Sequence, residues 1–242
     1  MRIKTNISSL MAQESSRNTS LNINSSLEKL SSGLRINKAS DDASGLAIAD
    51  KLRTQVSSIN QGITNGNSAV SLLQIADKSM DEQSKILDTV KAKLVQANTA
   101  TTSSAGRESI RKDVEKLLTQ LDNIASQTNY NGTKLLEGAT SAAASDSLDF
   151  QVGENSSDKI TMSAVQANTD GLGLSTLKGL AANGLTTTIA AAQQTIVDSA
   201  ITSLNEYRGD VGSTQNQVES AIRNLMTQST NISAAESIIR DV

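Results

Sequence analysis

Asp41 and Asp42 are adjacent carboxylates, a pattern that paired-carboxylate catalysis could use. They follow Ser40 and precede a long apolar-periodic stretch, where side-chain oxygens and negative charge act as an N-cap and an acidic first turn. Helix capping therefore accounts for them. Other chemistry has fewer residues to use. The chain contains no His and no Cys, so zinc sites, thiol chemistry and the common nucleophile-base pairs lack their groups. Gly171-Leu172-Gly173 has neither a third spaced Gly nor a buried strand before it, as a dinucleotide fingerprint would need, and no GxxxxGK[ST] phosphate loop is present. Asn6-Ile7-Ser8 and Asn131-Gly132-Thr133 fit a glycosylation sequon, a pattern expected by chance in a chain so rich in Asn and Ser. Ser-Lys or paired-carboxylate catalysis stays open as an alternative, but no spacing favours it. The expectation is a protein without catalytic residues, metal site or cofactor.

The elements that would position any site are helices. The 242 residues include no Pro and no Trp, with aromatics at 1% and apolar residues at 37%. A compact domain of this length uses aromatic rings to fill its centre. Aliphatic stripes must take their place here, and the absence of Pro suits long uninterrupted helices. The formal charge of -3 predicts no strong attraction to nucleic acid or anionic lipid. No apolar run approaches the ~20 residues of a membrane span, and the amino terminus has no signal-peptide h-region. Taken alone, these signals point to a cytoplasmic protein.

From the Ser40 cap, Ala49, Leu52, Val56, Ile59 and Ile63 recur at steps of four and three. The same register continues through Gly66, Val70, Leu73, Asp77, Met80, Leu87 and Leu94. A helix from Ala43 to about Gln96 would be on the order of 80 Å long. Gly66 sits in the seam, where close helix approach would offset its roughly 1 kcal/mol propensity cost; Gly62 has no such account. Asn98 to Gly106 reads as a turn. A second helix carries Ile110, Val114, Leu117, Leu121 and Ile124 and should stop near Gln127, because Asn129, Asn131 and Gly132 are turn chemistry. Glu108 with Lys112, and Arg111 with Glu115, are opposite charges four apart on its exposed faces.

Leu148, Phe150 and Val152 alternate, as do Ile160 and Met162 across a turn-rich Gly153 to Asp158, which predicts a β-hairpin. Gly171, Gly173, Gly179 and Gly184 leave the next stretch irregular. The last segment places Val197, Ile201, Leu204, Val211, Val218, Ile222, Leu225, Ile232 and Ile239 on one heptad grid. Before Gly33, Asn and Ser surround Leu21, Leu27 and Leu30, so this segment is expected to be ordered only against a partner. The predicted fold class is mainly α: a long antiparallel helical rod, a coiled-coil-like bundle, with a small β-hairpin appendage.

Several blocks carry a family resemblance. MRIKTNISSLMAQ, LSSGLRINKASDDASGLAIADKLRTQ, QTNYNGTKLLEG, FQVGENSSDKI and the block from Gln215 to Asp241 resemble bacterial flagellin, in order and over nearly the whole chain. The resemblance implies an extracellular, self-assembling filament subunit for swimming motility. It also implies homo-oligomeric contacts through rods and termini, with a flagellar export apparatus, an export chaperone and a filament cap as partners. Residues 1–40 would then be an inner-tube segment, disordered without a partner. Residues 41–138 would be the amino-terminal rod helices, 139–185 the hairpin and a short variable region, and 186–242 the carboxy-terminal rod helix. Empty Cys and Pro columns suit a chain threaded unfolded through an export conduit, since disulfides would block it and slow Pro isomerisation would delay refolding.

Flagellins similar to this one continue past Ile239-Arg240-Asp241-Val242 with an amphipathic helix that pairs with the amino-terminal one. The expectation is therefore a poorly ordered amino terminus in the monomer and weak or absent self-assembly. The family pattern Ser-Arg-Ile-Arg-Asp reads Ser237-Ile238-Ile239-Arg240-Asp241 here. Flagellins that stimulate Toll-like receptor 5 carry a Gln-Arg-x-Arg-Glu-Leu run in the first rod. The corresponding stretch here is Asp88, Thr89, Val90, Lys91, Ala92 and Lys93, so Thr89 and Lys91 stand where planar, multi-donor Arg side chains would be. Weak receptor activation is expected, as in flagellins of the Campylobacter-like lineage, with drift on a solvated face as the alternative. Ser and Thr clusters at Thr99 to Ser104 and Thr140 to Ser147 are candidates for O-linked sugars. A hook-filament junction protein is the nearer alternative reading, and a cytoplasmic coiled-coil scaffold the more distant one.

Overall fold

The computed structural model describes residues 6–138 and 147–241. Ile3, Val242 and most of the Thr140 to Ser147 cluster lie outside the described residues. The chain is mainly α, in the order α1 (Ile7–Ser32), α2 (Ala43–Ala97), α3 (Ser104–Gln127), β1 (Asn129–Tyr130), β2 (Thr133–Lys134), β3 (Leu148–Gln151), β4 (Lys159–Met162), α4 (Ser175–Lys178) and α5 (Thr187–Arg240). It divides into two units, one formed by Met1–Gln61 with Asn224–Val242 and the other by Gly62–Arg223.

The helix ends follow from local chemistry. Asp42 caps α2, its Oδ1 accepting the N–H groups of Ser44 and Gly45 at 3.0 and 2.9 Å. Asp41 turns the other way, accepting the N–H groups of Asn37 and Lys38 at 3.1 and 3.0 Å. Ser103 caps α3 by accepting the Gly106 N–H at 3.1 Å, so the second helix begins inside the stretch expected to be turn. Thr102 Oγ1 donates to the Gln96 carbonyl at 2.7 Å and closes the end of α2.

In the larger unit, α2 lies antiparallel to both α3 and α5. Lys93 pairs with Asp113 at 3.1 Å, Lys91 with Asp198, and Arg208 with Asp77 at 3.0 Å and Asp81 at 3.3 Å. The buried line of α2 runs Ala69, Leu73, Ala76, Met80, Gln83, Leu87, Val90, Leu94 and Ala97, a strict alternation of four and three. Four of its nine positions, Leu73, Met80, Leu87 and Leu94, are legible in the sequence. The other five are Ala69, Ala76, Gln83, Val90 and Ala97, of which the first two stand one position before the Val70 and Asp77 that the sequence register names. Of the branched residues flanking this line, Val70 and Ile86 remain half-buried, whereas Ile75 and Val95 are exposed. On α3 the buried positions are Ile110, Val114, Leu118, Leu121 and Ala125; on α5 within this unit they are Ala190, Gln193, Val197, Ala200, Leu204, Val211, Thr214 and Val218.

Strands β3 and β4 form the expected antiparallel hairpin, with Phe150 opposite Ile160 and Leu148 opposite Met162. A second hairpin, β1 with β2, forms where the sequence reads as turn alone. Asn131 (φ 50°) and Gly132 (φ 85°) adopt the two-residue left-handed turn that Asn-Gly favours, which pairs Tyr130 with Thr133.

Candidate assembly surface

Helix α1 has defined ends. Asn6 Oδ1 accepts the Ser9 N–H at 3.3 Å, and Gly33 takes the left-handed position with its N–H on the Lys29 carbonyl at 2.9 Å. No residue of α1 is buried. The segment expected to order only against a partner is thus helical through its caps while leaving its apolar side chains uncovered. Ile7, Leu10, Met11, Leu21, Ile23, Leu27 and Leu30 are between 45% and 77% exposed. At about 100° per residue, the first four fall on one side and the last three on the opposite side. The second group, with Thr19, Asn22 and Ser26, lines a shallow groove of about 330 Å³.

The seam positions read from sequence separate into two groups. Ile59, Leu73, Ile110, Val114, Leu121, Val197, Leu204 and Val218 are buried, whereas Leu52, Val56, Ile63, Val70, Leu117, Ile201, Ile222 and Leu225 are half-buried. Ile59 belongs to the smaller unit with Ile36 and Ala49, all nearly inaccessible.

Polar contacts pin the segment after β4 to the rod helices. Asp122 of α3 accepts the Thr169 N–H at 2.7 Å, the Thr169 hydroxyl at 2.9 Å and the Lys178 ammonium at 2.6 Å. Gln83, wholly buried, donates through Nε2 to the carbonyls of Ala167 at 2.8 Å and Leu121 at 3.2 Å; its Oε1 has no partner. Arg111 pairs with Glu115 at 2.8 Å as expected. Its second carboxylate is Glu108, held through Nε and both of that group's oxygens, so Glu108 turns to Arg111 rather than Lys112. The Arg111 hydrogen bond, then the Asn183 N–H, lower the Glu108 pKa to about 2. The same carboxylates raise that of Arg111. Gln83 and Asp122 had no sequence signal as fasteners, because their partners lie 38 to 84 residues away.

In the stretch Asp88 to Lys93, Asp88, Thr89 and Ala92 are exposed, Val90 is buried, and Lys91 and Lys93 are half-buried in the ion pairs with Asp198 and Asp113. Asp42 is occupied by the first N–H groups of α2, as capping predicts, whereas Asp41 accepts N–H groups of Asn37 and Lys38 ahead of the helix, and the first turn of α2 carries no acidic residue. Gly171-Leu172-Gly173 is a turn, with the Gly171 N–H on Asn168 Oδ1 at 2.7 Å and Gly173 at φ 71°. Among the described residues, no group of three or more His, Cys, Asp or Glu could hold a metal ion, and no helix is long and apolar enough to cross a membrane.

Residues 3–141 match the bacterial flagellin N-terminal helical region, and residues 194–242 match the bacterial flagellin C-terminal helical region. The chain belongs to the bacterial flagellin family. This flagellin is 39% identical to flagellin B of Helicobacter pylori over 212 residues, which is 86% of the chain and 40% of the relative. It is 37% identical to the flagellin of Bacillus subtilis over the whole chain and 88% of that protein. The chain thus spans about two fifths of the length of the Helicobacter relative. Among solved structures, Bacillus cereus flagellin is 28% identical with a TM-score of 0.57, covering 72% of this chain and 94% of that one. A protein of Vibrio parahaemolyticus named as flagellar hook-associated shares the fold at a TM-score of 0.66 and 13% identity, covering 83% of this chain and 99% of that one.

Proposed function

We propose that this flagellin is a structural subunit of the bacterial flagellar filament, assembling outside the cell for swimming motility. The observation that carries the reading is α1: a capped helix with no buried residue and apolar side chains on opposite sides. A helix apolar on more than one side is stable in water only when neighbours cover it. Copies of the same chain, stacked in a filament, supply such neighbours on every side. Delivery unfolded through the flagellar export apparatus, with an export chaperone and a filament cap, completes the proposal. The absence of Cys and Pro suits that route.

Filaments sheared from the source cell and mapped by peptide mass spectrometry test it. The expected result is peptides of this chain, α1 included, as a major component along the filament. Their confinement to the hook-filament junction would replace this reading with the hook-associated one.

We further propose weak activation of Toll-like receptor 5. The support is chemical: Thr89 and Lys91 offer no guanidinium fork, and the Lys91 and Lys93 charges are already paired with Asp198 and Asp113. A receptor reporter cell responding at ordinary flagellin potency would overturn it.

A further inference from the structure

Two helices of the larger unit carry exposed stripes of opposite charge. On α3, Lys112, Glu115, Lys116, Thr119, Gln120 and Asn123 are all exposed and line one shallow groove of about 310 Å³. At about 100° per residue, this stripe lies opposite the buried Ile110, Val114, Leu118 and Leu121. The carboxylates within a helical turn of the two lysines are already taken, Glu108 and Glu115 by Arg111 and Asp113 by Lys93. What the stripe offers to a neighbour is therefore the two ammonium groups.

On α5, Glu206, Asp210, Ser213 and Gln217 repeat the spacing of Lys112, Lys116, Thr119 and Asn123, and all are exposed. They lie opposite the buried Leu204, Val211 and Val218. The cation within a turn of both carboxylates is Arg208, and Asp77 and Asp81 hold it. Gly209, between them, is bare: an added Cβ there meets nothing within 4 Å. The helix carries that residue at a propensity cost with no return inside its own chain, and the uncovered backbone leaves room for another helix to approach.

The spacing decides which faces can meet. Set α3 against α3 of another copy and Lys opposes Lys; set α5 against α5 and carboxylate opposes carboxylate. Among these stripes, only α3 against α5 joins opposite signs. That pairing uses a different face on each copy, so it leaves one of each free for a further copy, whereas a face that pairs with itself closes a dimer.

We propose that the α3 stripe with Lys112 and Lys116 docks on the α5 stripe with Glu206 and Asp210 of the next copy, and that these charges select an open array over a closed pair. The proposal rests on the filament reading and deepens it by naming the faces that meet. Both helices run antiparallel to α2, hence parallel to each other, so copies pointing the same way bring Lys112 to Glu206 and Lys116 to Asp210. Exposed ion pairs add little affinity each. Their effect is on the choice of face and on the rate of encounter.

Seeded polymerisation of the full chain tests the contact by charge reversal. Lys112→Glu with Lys116→Glu should raise the critical concentration about tenfold, and Glu206→Lys with Asp210→Lys should do the same, since each sets like charges face to face. All four reversals together should return it to within about twofold of the unaltered chain. Thermal unfolding of each variant should stay close to that of the unaltered chain, because the four side chains are exposed. A quadruple variant as impaired as the doubles would overturn the contact. So would a double that elongates normally, and a loss confined to one double gives that stripe a different occupant. An unaltered chain that never elongates seeds removes the filament reading, and cross-linking then judges the contact alone. In a concentrated mixture of heavy-isotope-labelled and unlabelled chains, carbodiimide should join Lys112 or Lys116 to Glu206 or Asp210 in mixed-isotope peptides; their absence excludes the contact.

Discussion

The carbonyl oxygen of Val152 occupies the space that a Cβ on Gly62 would need. The β3–β4 hairpin is thereby seated on α2 through backbone contact, which accounts for a helix-weakening glycine that heptad spacing left unexplained. Gly66 one turn later faces Ile222, whose Cγ1 would stand 2.8 Å from an added Cβ. Side chains can move aside more readily than a strand end.

Gly62→Ala should therefore destabilise the protein by about 1–3 kcal/mol, the usual cost of overpacking, despite the helix propensity gained. On α5 an added Cβ at Gly209 or Gly212 meets nothing within 4 Å. Gly209→Ala and Gly212→Ala should each stabilise by roughly 0.5–1 kcal/mol. Urea denaturation of the three variants checks the opposite signs.

Leu118 is fully buried while its neighbour Leu117 is half-buried. Leu118→Ala should cost about 2–5 kcal/mol by lost burial and cavity formation, and Leu117→Ala less than half as much. Equal losses in thermal unfolding would place the α3 seam back on Leu117.

Asp122 accepts three hydrogen bonds from the segment after β4, one of them from Lys178. Asp122→Asn turns an amide NH₂ toward donors and should cost about 1.5–3 kcal/mol, the range for bonds to a charged group, lessened by its partial exposure. Hydrogen exchange at the Thr169 amide should quicken more than exchange within α2.

Glu108 has a folded-state pKa lowered to about 2, below its ordinary value of 4.5, by Arg111 first and the Asn183 N–H second. A depressed carboxylate pKa means the unfolded chain binds the proton first on acidification. The Glu108 contribution is thus complete above about pH 5 and is lost as pH falls toward about 2. Melting temperatures of wild type and Glu108→Gln should differ most near neutrality and converge over that interval.

The ends of the helices were legible because capping and turn residues act locally. Asp42 and the Asn131-Gly132 turn meet partners within a few residues, whereas the Ser103 cap of α3 lies inside a stretch that reads as turn. One line of each rod helix was legible too, since Leu73, Met80, Leu87 and Leu94 are aliphatic wherever they point. The second line was not. Ala76 and Gln83 gain burial from the helices that face them, and Gln83 is tolerated in the core because carbonyls of α3 and of the segment after β4 receive its amide.

What this sequence determined by itself was its class and punctuation: long Pro-free helices, where α2 begins, where α3 stops, a hairpin around Phe150 with Ile160, and membership signals at both ends. Tertiary structure alone decided the seat of that hairpin on Gly62, the partner of Glu108 and the fastening at Asp122. Local propensities act through the next few residues along the chain, whereas these contacts join groups brought together by packing, at separations no spacing rule encodes.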